Sequence, residues 1–151
     1  MPMTTAAAHA LALLIFNNTT YANVGDATGL PGSASAGAFY VSLHTASPGA
    51  TGVQTTSEAN YTGYGTRPSA ARSSAGWTVG TGGAVSNAGA VSFPACTAGT
   101  NQVTYVGLGS AATSTGTLMS YGQITSPAGG LAVSAGITPT FPIGALTVTV
   151  S

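Results

Sequence analysis

Few side chains in this chain could do chemistry, and their types limit what that chemistry would be. The carboxylates are Asp26 and Glu58, the permanent cations Arg67 and Arg72, the imidazoles His9 and His44, and the one thiol Cys96. A carboxylate pair for general acid–base work would have to join Asp26 to Glu58. Asp26 lies in "VGDATG", where an aspartate that shapes a turn is the ordinary reading. A Ser-His-Asp arrangement would need Asp26 with one of the two histidines, yet no G-x-S-x-G elbow is present and "GSASAG" (Gly32–Gly37) follows no strand signal. Cys96 in "FPACTAG" has no neighbouring His or Lys to lower its pKa and reads as a small buried thiol. Four zinc ligands cannot be drawn from one Cys and two His of this spacing. The sequence therefore predicts no catalytic residue, no metal and no cofactor.

The remaining signals are weak or structural. "GLG" (Gly107–Gly109) opens no helix, so it is a bulge or a close backbone approach rather than a phosphate loop. Asn17-Asn18-Thr19 and Asn60-Tyr61-Thr62 match the glycosylation pattern, which means little here without a signal peptide. The span Glu58–Arg72 holds three of the four charges, with Tyr61, Tyr64 and Trp77 close by. It admits three readings: an ion pair that fixes the loop, an interface anchor of the Tyr/Trp/Arg kind, or a solvated loop.

The elements that must position these residues follow from the hydrophobic pattern. Residues 6–16 are rich in Ala and Leu, with Leu11, Leu14 and Ile15 at i, i+3 and i+4, and predict a helix capped by Thr4 or Thr5 and ended at Asn17-Asn18. Thr19–Gly37 reads as an irregular Gly-rich arm. From Ala38 onward the pattern is β. In "FYVSLHT", Phe39, Val41 and Leu43 alternate with Tyr40, Ser42 and His44. Further strands are expected at Tyr64–Ala70, Gly76–Val79, Ala84–Ser86, Ala90–Phe93, Gln102–Leu108, Thr117–Ile124, Leu131–Ser134 and Ala145–Val150. Short strands between Gly-rich turns predict an all-β fold, an antiparallel β-sandwich of jelly-roll type, over residues 38–151. The helix and arm (residues 1–37) are expected to stand apart as a docking segment.

Composition narrows the function. Charged residues are 3% of 151, the formal net charge is zero and the mean hydropathy is +0.35. An ordinary soluble domain carries about 25% charged residues. Two arginines cannot form the basic patch of a nucleic-acid binder. The longest apolar run, Ala6–Phe16, is far short of the roughly 20 residues that span a bilayer, and no Lys or Arg precedes it as in a signal peptide. With one cysteine, no intrachain disulfide forms. A chain with so little charge is expected to spend its life covered by copies of itself or by a partner.

Four segments in order, "FYVSLHTASPGATG", "SEANYTGYGTRPSAARSSAGWTV", "AVSNAGAVSFPACTAGTNQVTYVGLGSAATSTGTLMSYGQI" and "GITPTFPIGALTVTVS", resemble a family of small tailed-bacteriophage virion proteins often labelled phage tail fibre protein. Gly109-Ser110 stand where that family frequently has Asp. Proteins similar to it occur on phage heads as jelly-roll cement or decoration proteins over contacts between major capsid proteins. The resemblance implies a non-enzymatic capsid cement protein at the virion surface, made in the bacterial host cytoplasm. Its partners would be the major capsid protein and copies of itself (a dimer or trimer on the shell), with no nucleic acid and no membrane. The alternative is a tail-fibre or receptor-binding module. The residues expected at its interfaces are Leu11, Leu14, Ile15 and Phe16 on the helix, and Glu58, Tyr61, Tyr64, Arg67, Arg72 and Trp77 in the loop.

Overall fold

The computed structural model describes residues 2–151. One helix, α1 (Thr5–Asn17), precedes eleven short strands: β1 (Ala38–His44), β2 (Ser69–Ala71), β3 (Trp77–Val79), β4 (Ala84–Asn87), β5 (Val91–Ser92), β6 (Thr100–Val103), β7 (Tyr105–Gly109), β8 (Leu118–Gln123), β9 (Leu131–Ser134), β10 (Thr140–Phe141) and β11 (Thr147–Thr149). The fold is all-β beyond its N-terminal helix, and the strand pairs whose registers are defined are antiparallel. The chain divides into two compact units. One contains the residues up to Ala38, Ala70–Ala90 and Phe141–Ser151; the other contains Phe39–Ser69 and Val91–Thr140.

In the first unit, α1 is bounded as its sequence dictates. The Thr4 hydroxyl accepts from the Ala7 N–H, and Asn18 closes the helix in the left-handed conformation, which asparagine tolerates well. The helix packs on β3 and β4 and on the single 3-10 turn Thr81–Gly83, burying Ala8, Ala12 and Phe16. Phe16 meets Trp77 edge-on, ring centroids 5.2 Å apart, and Trp77 is fully buried. Leu11, Leu14 and Ile15 are half-buried. A helix that orders only on a partner is therefore not what forms. Its short apolar face has β3 and β4 within its own unit. The Gly-rich stretch after it also folds back, with Tyr21 bridging Leu30 and the Asn18 side chain bonded both ways to Ser33. Asp26 forms the expected turn: one carboxylate oxygen accepts from the Thr28 hydroxyl and from the Thr28 and Gly29 N–H groups, which lowers its pKa. The sheet of this unit has the order β11–β4–β3.

The second unit is built on β1, β7 and β8 in that spatial order, with β6 and β9 paired separately. Expected strand Gln102–Leu108 is broken at Thr104. Its N–H donates to the His44 carbonyl and its hydroxyl to the Thr45 carbonyl, so the chain leaves β9 and joins β1 there. Expected strand Tyr64–Ala70 shrinks to β2, because residues 61–67 form turns that send side chains inward. β10 forms where Pro139 and Pro142 flank Phe141, a stretch whose prolines mark it as an edge or a bend.

Candidate functional site

Beyond the end of β1 the chain reverses and residues 57–59 return alongside it. Thr45 N–H donates to the Ser57 carbonyl, Ala59 N–H to the Leu43 carbonyl, and His44 bridges Glu58. This fixes Glu58 at the strand end. Tyr64 then reaches back to it: the phenol accepts from the Leu43 N–H at 3.0 Å and donates to Glu58 Oε1 at 2.8 Å. Arg67 meets the same carboxylate side-on, Nε to Oε1 and Nη2 to Oε2, both at 2.6 Å. Its remaining donors satisfy the carbonyls of Ala111 (2.9 Å) and Ser114 (3.0 Å). Arg67 is 4% exposed, so the pair works largely out of water. Bidentate guanidinium–carboxylate geometry is the strongest form of this contact.

Electrostatics follow from that burial. Desolvation, reinforced by the Glu58 charge, pushes the Tyr64 phenol well above its ordinary pKa, so it stays a donor. Desolvation opposes the Arg67 charge, but the bonds to Glu58 outweigh it and raise its pKa. Tyr61, buried beside this clasp with its ring 5.3 Å from that of Tyr64, donates to the Pro94 carbonyl; burial pushes its pKa up to about 12.

A second buried polar group lies on β1 itself. His44 Nδ1 is 2.8 Å from the Thr56 carbonyl, an acceptor only, so that nitrogen carries the proton. Nε2 then accepts from the Ser42 hydroxyl at 2.9 Å. Desolvation lowers the His44 pKa and keeps the ring neutral. A hydroxyl on an imidazole is the raw material of a nucleophile, but both side chains are fully buried. Gly107, paired with Ser42 across the sheet, admits no methyl group: a Cβ there would lie 2.6 Å from Nε2 and 2.7 Å from the Ser42 hydroxyl. The pair locks β1 to the Thr56 loop.

Arg72 and Trp77 belong to the other unit. Arg72 does not pair with Glu58. Its guanidinium donates to the carbonyls of Ile15 (2.7 Å), Leu14 (2.9 Å) and Ala36 (3.2 Å), tying the end of α1 to the arm. A cation at a helix C-terminus also complements the helix dipole. The expected charged loop is thus divided: Glu58, Tyr61, Tyr64 and Arg67 meet in one place, Arg72 and Trp77 elsewhere. Of the three readings of the loop, the geometry is that of an internal ion pair, with Arg67, Tyr61 and Trp77 too buried to offer a surface.

Sequence reasoning missed the buried amides Gln54 and Asn87 and the half-buried Asn101. Gln54 accepts from Ala111 N–H and donates to the Tyr40 carbonyl, and Asn101 accepts from the N–H groups of Asn60 and Tyr61. Asn87 holds Leu146, Pro142 and Gly89. Only their placement between strand signals could have singled them out. Cys96 is buried against the Ala98 and Gly99 carbonyls. Among the described residues, no three His, Cys, Asp or Glu side chains cluster as a metal site, and no helix is long and apolar enough to cross a membrane.

Fold and site together define an antiparallel β protein with one N-terminal helix, very little charge, and a Glu58–Arg67–Tyr64 clasp and an Arg72 helix tie that turn three of its four charges inward. The chain belongs to the family described as Podophage GP4 fiber I protein gp80, whose model matches residues 2–149. It is a structural protein of a bacteriophage virion. No curated protein matches it.

Proposed function

We propose that the chain is a small fibre-type subunit of the phage virion, acting by attachment rather than by catalysis. The observation that carries this reading is the match of nearly the whole chain to a family named for a fibre protein. The geometry is consistent with it. Glu58 is committed to Arg67 and Tyr64, and the Ser42–His44 pair is closed to substrate, so the polar groups serve rigidity. Attachment would rest on apolar and backbone contacts, since four permanently charged side chains offer little else. The second reading is a cement protein bridging major capsid proteins. Zero net charge favours it, because a shell-covered subunit needs no charge to stay dispersed.

Copy number and position separate the two. Quantitative mass spectrometry of purified virions, with cryo-electron microscopy of the same particles, should find a few to a few dozen copies on fibres. Hundreds of copies spread over the head would overturn the fibre reading and leave the cement reading standing.

A further inference from the structure

Strand β8 ends its sheet. On one side it pairs with β7 in unbroken register from Tyr105↔Gln123 to Leu108↔Ser120; the one irregularity, at Leu108/Gly109, lies at its Leu118 end. On the other side, among the described residues, only the Val53↔Thr117 bridge touches its approach, and nothing pairs with Met119–Gln123. An open edge is a template for another strand, and proteins ordinarily guard it with charge, proline, a bulge or brevity. β8 is six residues, LMSYGQ, with neither charge nor proline. Two large apolar side chains stand out from it: Met119, 52% exposed, and Tyr121, 41% exposed and tilted against Tyr105.

We propose that β8 is the assembly edge of this protein and that its occupant is β8 of a second copy, paired antiparallel about a two-fold axis. The choice of occupant rests on charge. About a two-fold axis residue i meets residue j and j meets i, and groups near the axis meet their own images, so a charge there repels itself and an uncharged edge does not. Glu58 and Arg67 are spent on each other, and Arg72 and Asp26 lie outside this unit, so no charge here would select an oppositely charged partner. The joined sheet runs β2–β1–β7–β8–β8′–β7′–β1′–β2′. The proposal does not depend on whether the subunit sits on a fibre or a shell.

The test uses the full chain in analytical ultracentrifugation over a concentration series. A concentration-dependent dimer is expected, with hydrogen exchange slowed at residues 119–123 as it forms. Tyr121→Lys should weaken the dimer by at least about tenfold, and Tyr121→Glu likewise. An equimolar mixture of the two variants should restore association as a heterodimer. Met119→Lys, at the more exposed position, repeats the test should loss of the Tyr105 contact unfold the Tyr121 variants. A chain that stays monomeric up to its solubility limit overturns the proposal. So does a dimer indifferent to folded Met119→Lys and Tyr121→Lys, or one that leaves residues 119–123 exchanging as in the monomer.

Discussion

Arg67→Ala is the sharpest test of the clasp. The substitution removes two bonds to Glu58 and two to the Ala111 and Ser114 carbonyls. It leaves a carboxylate with 15% side-chain exposure still bonded to the Tyr64 phenol. Breaking a buried pair from one side costs about 3–5 kcal/mol, since the abandoned charge keeps its desolvation penalty. In a chain of this length that corresponds to a melting temperature lower by on the order of 6–20 °C. Arg67→Lys should recover only part of the loss, because an ammonium cannot meet the carboxylate side-on and also reach both carbonyls. The assay is urea and thermal unfolding of the wild-type chain, both Arg67 variants, Glu58→Gln and the Glu58→Gln/Arg67→Ala double variant. The double-mutant cycle should show the two sites strongly coupled. A loss below about 1 kcal/mol for Arg67→Ala, typical of a solvent-exposed pair, would refute the reasoning.

Phe16→Ala should cost about 3–5 kcal/mol and shift Trp77 fluorescence to the red, because the edge-on ring contact is lost. Deleting residues 1–16 should yield an unfolded or aggregating chain by circular dichroism and light scattering, not an intact β domain. The fold lowers the His44 pKa below 6.5, so its contribution is fully present above pH about 6.5. As pH falls below that value the unfolded chain takes up a proton that the fold resists, and stability declines by at most about 1.4 kcal/mol per pH unit; the slope should flatten in His44→Gln. Asn87→Ala should cost at least about 2 kcal/mol in urea unfolding, because it strips partners from Leu146, Pro142 and Gly89 at a site 1% exposed.

The parts of the fold legible in sequence are those where local chemistry and tertiary demand agree. Thr4 and Asn18 bound α1 because a hydroxyl cap and a left-handed asparagine are local solutions. Leu131–Ser134 is a strand as read. Alternation located β1 but does not tell what covers its second face. Tyr40 and Ser42 lie opposite Gly109 and Gly107, and the space those glycines leave is filled by Ser42, His44 and Gln54. A polar face packed over glycines looks solvent-exposed in sequence, since the void belongs to a strand more than sixty residues away in the chain. The Glu58–Arg72 loop was legible in part. An ion pair of Glu58 with Arg67 or Arg72 is what its charges suggest, and Arg67 makes it; the carbonyls at the end of α1 hold Arg72 instead, and no pattern of side chains announces a bare carbonyl.

The scarcity of charge and the inward use of three of the four charged side chains have one consequence. Most proteins spread ionic groups over their surface, where each contributes little to stability but keeps copies apart. Here Glu58 and Arg67 close a loop and Arg72 closes a helix. Rigidity gains and repulsion between copies loses, while the same scarcity leaves β8 unguarded. In a virion, where subunits are held at high local concentration, an edge of this kind pairs more fully than at the same affinity in dilute solution. Folding and association are then linked through few groups: Met119→Lys should leave the clasp untouched, and loss of Arg67 should destabilise the sheet that presents β8.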